Sequence, residues 1–207
     1  MNAAQRERAA LVETLRRVGP DAPTLCAGWT TRDLAAHLVV RERRLDATVG
    51  IVIPFLADHT AKVQDQIAQS NSWDDLVELV ASGPPLYSPF KLLDPVANIG
   101  EMFIHHEDVR RAVDGWQPRE LDESTATALT RPLGFVSRMA LAKAPVQVVL
   151  QTPAGRQIAR VGRGEEVTVT GEPQELVLFL AGRDAVQIEF DGAPETFAAV
   201  KAARRAL

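Results

Sequence analysis

The chain has 207 residues, 46% of them hydrophobic and 24% charged, with a formal net charge of −4, values that suit an ordinary soluble protein with one good core or two small ones. Nucleic-acid binding finds no support: Arg41-Glu42-Arg43-Arg44 and Ala202-Ala203-Arg204-Arg205 read as solvated helix faces, and no basic stripe carries interleaved aromatics. No apolar run approaches the ~18 residues of a membrane span and the N-terminus lacks a signal-peptide core, so the expected location is the cytoplasm.

The first predicted helix runs from about Ala3 to Val18, places Leu11, Leu15 and Val18 on one face, and ends at Gly19-Pro20. Cys26 follows; a single cysteine excludes an internal disulfide and a thiolate-rich zinc site. No histidine adjoins it in sequence, so it reads as a packing thiol rather than a nucleophile. A second helix begins near Thr31, with Thr30 as N-cap, Asp33 in the first turn, and Leu34, Leu38 and Arg41 at helical spacing, and is expected to reach about Gly50. After Ile53-Pro54 come helical stretches over Ala57–Ser70 and Trp73–Ala81, then a loop rich in Gly and Pro from Ser82 to Pro89. A long helix is predicted from Lys91 to Val113, stopped by Gly115-Trp116-Gln117-Pro118, and another from Asp122 to Ala142. Helices with these connections make a bundle, whose facing helices can point metal ligands inward.

The periodicity changes after Pro145. Val146–Leu150, Gln157–Val161, Glu166–Thr170 and Ala185–Phe190 are short, β-branched and partly alternating, with glycine-rich turns between them. A short helix from Pro173 to Leu180 and a terminal one from Pro194 to Ala206 complete the pattern. The expected class is therefore α+β: a helical bundle over residues 1–142 and a small α+β domain over 145–207.

Chemistry concentrates on the long helix. Asp94, Asn98, Glu101, His105 and Asp108 recur at steps of three or four and form one narrow polar stripe, while Val96, Ile99, Met102, Phe103 and Ile104 take most of the remaining circumference. Such a stripe is expected to face the interior, where ionisable groups need a partner or a cation. Glu101 and His105, four apart, have the placement of two metal ligands. The chain has four histidines, and His37, about two turns into an apolar helix, is the best third donor. Two imidazoles and a carboxylate suit Zn²⁺ and similar divalent ions, and three protein ligands leave a position open for chemistry. The alternative is ordinary: a histidine among aliphatics can be a satisfied core residue, and Glu-x-x-x-His arises by chance on many helices. Asp33, Asn98 and Asp108 lie about a turn from the candidate ligands and are candidates to orient them. Asp33 could instead serve the capping box, and Asp108 could pair with Arg110 or Arg111. His59 and His106 fall outside the set, His106 being about 100° around the helix from His105.

Three motifs carry a resemblance. Trp-Thr-x-x-Asp-Leu-x-x-His-Leu at Trp29–Leu38, Asn-x-x-Glu-x-x-x-His-x-x-Asp at Asn98–Asp108, and Gly-Glu-Pro-x-Glu-Leu-x-Leu-Phe-Leu-x-Gly-Arg at Gly171–Arg183 resemble the mycothiol-dependent maleylpyruvate isomerase family of DinB-like metal-binding bundles. The runs Thr24–Arg44 and Glu101–Pro118 resemble an uncharacterised actinobacterial branch of metal-binding proteins within it. The resemblance implies a DinB-like N-terminal bundle, a sterol-carrier-like C-terminal part, and His37, Glu101 and His105 as metal ligands. It further implies mycothiol as cosubstrate, activated as a thiolate, and a small electrophilic substrate that is isomerised or receives the thiol. Arg183 is a candidate to anchor a substrate carboxylate, which a guanidinium matches bidentately, although an arginine closing a helix also has a simple dipole explanation. A non-catalytic metal or small-molecule binding protein and a metal-dependent hydrolase are the competing classes. Oligomeric state is not legible, because apolar helix faces in a bundle do not separate core from interface.

Overall fold

The computed structural model describes residues 1–44, 57–88 and 90–204, with the side chains at 57 and 90–97 left aside. The expected helix end near Gly50, the Ile53-Pro54 break, the side chain of Asp94 and the helix end at Ala206 lie outside this description. Backbone contacts divide the chain into two compact units, Met1–Gln117 and Pro118–Leu207.

The first unit is helical. Helix α1 (Ala3–Val18) opens with a reciprocal capping box between Asn2 and Gln5, and α2 (Thr31–Arg43) with one between Thr30 and Asp33, each satisfying backbone N–H groups that a helix start leaves unpaired. Helices α3 (Ala57–Ser70), α4 (Trp73–Ser82) and α5 (Phe90–Arg110) follow. Helix α1 packs on α4 and α5, and α2 on α3, α4 and α5. The core joins Leu11 and Leu15 of α1, Leu34 and Leu38 of α2, Leu76 and Val80 of α4, and Met102 and Val109 of α5. Leu34 and Leu38 are fully buried on the helix that carries His37, so apolar packing fixes the rotation of that helix.

The second unit holds α6 (Glu123–Thr130), α7 (Leu133–Ala140), α8 (Pro173–Leu180) and α9 (Pro194–Ala203), with strands β1 (Gln147–Gln151), β2 (Gln157–Val161), β3 (Glu166–Gly171) and β4 (Ile188–Asp191). The sheet order is β2-β1-β3-β4; β1 and β3 run parallel and the outer pairings are antiparallel. The α+β class expected from the pattern is the observed one, with nine helices and four strands among the described residues.

The long helix ends at Arg110 rather than Val113 and the last strand is Ile188–Asp191 rather than Ala185–Phe190, and two larger differences from the sequence reading follow. The single helix expected over 122–142 is two helices, because Pro132 lacks the N–H and has the ring that interior helical geometry rejects. The division falls at Gln117/Pro118 rather than at 142–145, because α6 and α7 pack against α8 and β2 and so belong with the sheet. Helical periodicity reports that a segment is a helix, not which core receives its apolar face.

Candidate metal centre

Helices α2 and α5 bring three donor atoms together. His37 Nε2 lies 3.5 Å and His105 Nε2 3.2 Å from the same oxygen, Glu101 Oε1. The two imidazoles meet edge to face with centroids 5.2 Å apart. Each of the three residues offers one ligand atom within 4.8 Å of the others. A tetrahedral ion with bonds of about 2.0–2.1 Å holds neighbouring ligand atoms about 3.3 Å apart, so these separations and the N, N, O donor set fit a divalent ion such as Zn²⁺. The histidine side chains are 11% and 6% exposed and that of Glu101 24%, which makes Glu101 the open edge of the group.

The surrounding contacts orient the donors. Asp108 Oδ2 lies 2.9 Å from His105 Nδ1, so that nitrogen is the one engaged away from the triad and Nε2 is directed into it. The two arginines considered for Asp108 both pair with Glu107, at 2.8 Å from Arg110 and 2.6 Å from Arg111. Arg41 Nε stands 3.4 Å from Glu101 Oε1, and its Nη1 donates to Asn98 Oδ1 at 2.6 Å, so fully buried Asn98 acts by holding the guanidinium beside the carboxylate. The Trp29 ring lies 5.0 Å from that of His37. Asp33 is placed differently from Asn98 and Asp108: its Oδ2 accepts from the Thr30 N–H at 2.8 Å and from its hydroxyl at 2.7 Å, so it caps α2.

Protonation follows from these neighbours. Burial lowers the His37 pKa, against a partial upward pull from Glu101, and keeps the ring neutral and fit to ligate at neutral pH. Burial opposes charge on His105 too, but hydrogen bonds with Asp108, Cys26 and Glu101 outweigh it and raise its pKa well above the usual histidine value. Burial would raise Glu101, yet hydrogen bonds from His105 and His37 and the charges of His105 and Arg41 hold it well below the carboxylate range.

The other histidines are elsewhere. His106 Nδ1 meets Glu7 at 2.7 Å and its Nε2 meets Thr14 at 2.9 Å, both on α1, whereas His59 is exposed. Arg183 belongs to the second unit, where its Nη1 donates to the Ala181 carbonyl at 2.5 Å just past the end of α8, the helix-closing arrangement. Two neighbours escaped the sequence reading. Arg41 stands four residues after His37 and its spacing could have shown it. Cys26 sits 3.2 Å from Asp108 Oδ2 because the loop before α2 folds back on α5, with the Leu25 N–H donating to the Asp108 carbonyl at 3.0 Å, and no local pattern announces that.

Comparison with solved structures finds the mycothiol-dependent maleylpyruvate isomerase at 16% identity and TM-score 0.61, and a histidine-to-alanine mutant of that enzyme at 15% identity and TM-score 0.62. Each match covers 93% of this chain and 92% of the other, a likeness of fold. No curated protein sequence matches. The family model for the mycothiol maleylpyruvate isomerase N-terminal domain matches residues 1–169, and by that match the chain belongs to the mycothiol maleylpyruvate isomerase family.

Proposed function

We propose that the chain binds one divalent ion, Zn²⁺ foremost, through His37 Nε2, Glu101 and His105 Nε2, and uses mycothiol in an isomerase or S-transferase reaction on a small electrophile. The observation that carries the reading is the convergence of two imidazole nitrogens on Glu101 Oε1 at 3.5 and 3.2 Å, in a chain of this family. A bound ion supplies Lewis acidity that lowers the pKa of a thiol at its open position, giving thiolate at neutral pH. The chain's own residues prepare that position. Asp108 keeps His105 in the tautomer that leaves Nε2 as a donor, Arg41 and Asn98 hold Glu101, and Trp29 flanks His37. A thiolate delivered there can add to an activated double bond, allow rotation about the resulting single bond, and leave again, or it can stay on the electrophile as the transferred group.

The test is elemental analysis of the purified protein followed by calorimetric titration of the metal-loaded form with mycothiol. Saturable binding that needs the metal and disappears in His37→Ala is expected. Absence of binding in protein holding one ion per chain would overturn thiol use; turnover of activated esters would then mark a hydrolase, and its absence a plain metal binder.

A further inference from the structure

His105 has two ring nitrogens, and each faces a different set of donors. Nε2 faces Glu101 and His37; Nδ1 faces Asp108, whose Oδ2 also lies 3.2 Å from the half-buried Cys26 thiol. Cys26, His105 and Asp108 each offer one ligand atom, the three lying within 4.8 Å of one another. A tetrahedral ion with a metal–sulfur bond of about 2.3 Å and metal–oxygen bonds of about 2.1 Å separates sulfur from oxygen by about 3.5 Å, so the sulfur–oxygen pair, at 3.2 Å, need open by only a few tenths of an ångström. The loop that carries Cys26 is held in place by the Leu25 N–H bond to the Asp108 carbonyl and by the Trp29 N–H bond to the Cys26 carbonyl at 2.9 Å. The thiol is thus presented to α5 by a braced backbone.

We infer that Cys26, His105 Nδ1 and Asp108 form a second, sulfur-containing metal site that takes thiophilic ions such as Cd²⁺ and competes with the first site for His105. The donor chemistry separates the two: two imidazoles and a carboxylate suit borderline ions, whereas a thiolate favours softer ones. Competition follows from the ring. A neutral imidazole has one lone pair, so an ion on Nδ1 leaves the proton on Nε2, where it bonds Glu101, and an ion on Nε2 leaves it on Nδ1, where it bonds Asp108. Occupying both at once requires an imidazolate. When the ion enters the second site, the Cys26 S–H bond and the His105 Nδ1–H bond of the protonated ring both break, the two protons go to solvent, the Nε2 proton stays, and sulfur–metal and nitrogen–metal bonds form without change of oxidation state.

The test needs no mycothiol and so fails or succeeds apart from the reading of the first site. Metal-free full-length protein is titrated with Cd²⁺, with ultraviolet absorbance and bound metal measured together. The wild type is expected to gain a thiolate-to-cadmium charge-transfer band that saturates at one ion per chain. Cys26→Ser should lack the band, and His37→Ala should keep it; should His37→Ala not fold, Glu101→Gln takes its place. No band in the wild type, a band that survives in Cys26→Ser, loss of the band in the folded His37 or Glu101 variant, or two ions retained per chain would each overturn the inference.

Discussion

Asp108 Oδ2 lies 2.9 Å from His105 Nδ1, three residues along the same helix, with Asp108 fully buried and both arginines that follow it engaged by Glu107. The pair sets which nitrogen of His105 is offered to Glu101 and His37. Replacing Asp108 by Asn keeps the volume but removes the charge that favours the Nδ1–H tautomer. Affinity for Zn²⁺, read by competition with a chromophoric chelator, should fall about 10- to 100-fold. An unchanged affinity in the folded variant would show that the tautomer is set elsewhere.

His37→Ala, Glu101→Ala and His105→Ala should each lose the ion, while His59→Ala and His106→Ala keep it, as measured by elemental analysis after gel filtration. His106→Ala should instead be less stable by about 1–3 kcal/mol in urea unfolding, because it removes a partner from buried Glu7 and Thr14. Stoichiometric metal in the His37 variant would refute the ligand set.

At the proposed metal site, proton and metal compete for His105. Its pKa in the metal-free fold is raised well above 6.5, chiefly because hydrogen bonds with Asp108, Cys26 and Glu101 outweigh burial. The stabilisation from the protonated ring is fully present below the unfolded-state pKa and is lost as pH rises through the raised folded value. Metal binding has the opposite slope, since the ion needs the deprotonated nitrogen. The melting-temperature increment produced by Zn²⁺ should therefore grow with pH from about 6.5 upward, with about tenfold tighter binding per pH unit below the raised pKa. A flat increment across that window would contradict the assignment of His105.

Thr30→Ala removes the N-cap that Asp33 completes at the start of the His37 helix. The expected cost is about 1 kcal/mol in equilibrium unfolding. Metal affinity should move little, because the rotation of α2 is held by buried Leu34 and Leu38. A large loss of affinity without loss of stability would mean that the cap itself positions His37.

Limited proteolysis distinguishes the two placements of the domain boundary. The first cut is expected within residues 113–120, where exposed positions precede and follow Gln117, leaving a metal-binding N-terminal fragment. First cleavage at 142–146 would instead favour the division drawn from the change of periodicity.

Local pattern determined the elements. The Thr30/Asp33 cap, the Pro173 helix start and the β-branched runs after residue 145 depend on neighbours within a few positions, and the structure has helices and strands there. Spacing also placed Glu101 and His105 on one helical face, since a period of 3.6 residues leaves no freedom at a separation of four. What no local pattern contains is which face meets which. That His37 comes to Glu101 from another helix, that Cys26 folds back to Asp108 across 82 residues of chain, and that α6 and α7 join the sheet were decided by tertiary packing. The reason is physical: short-range periodicity is set by backbone geometry, whereas long-range pairing is the joint outcome of every apolar face burying itself at once.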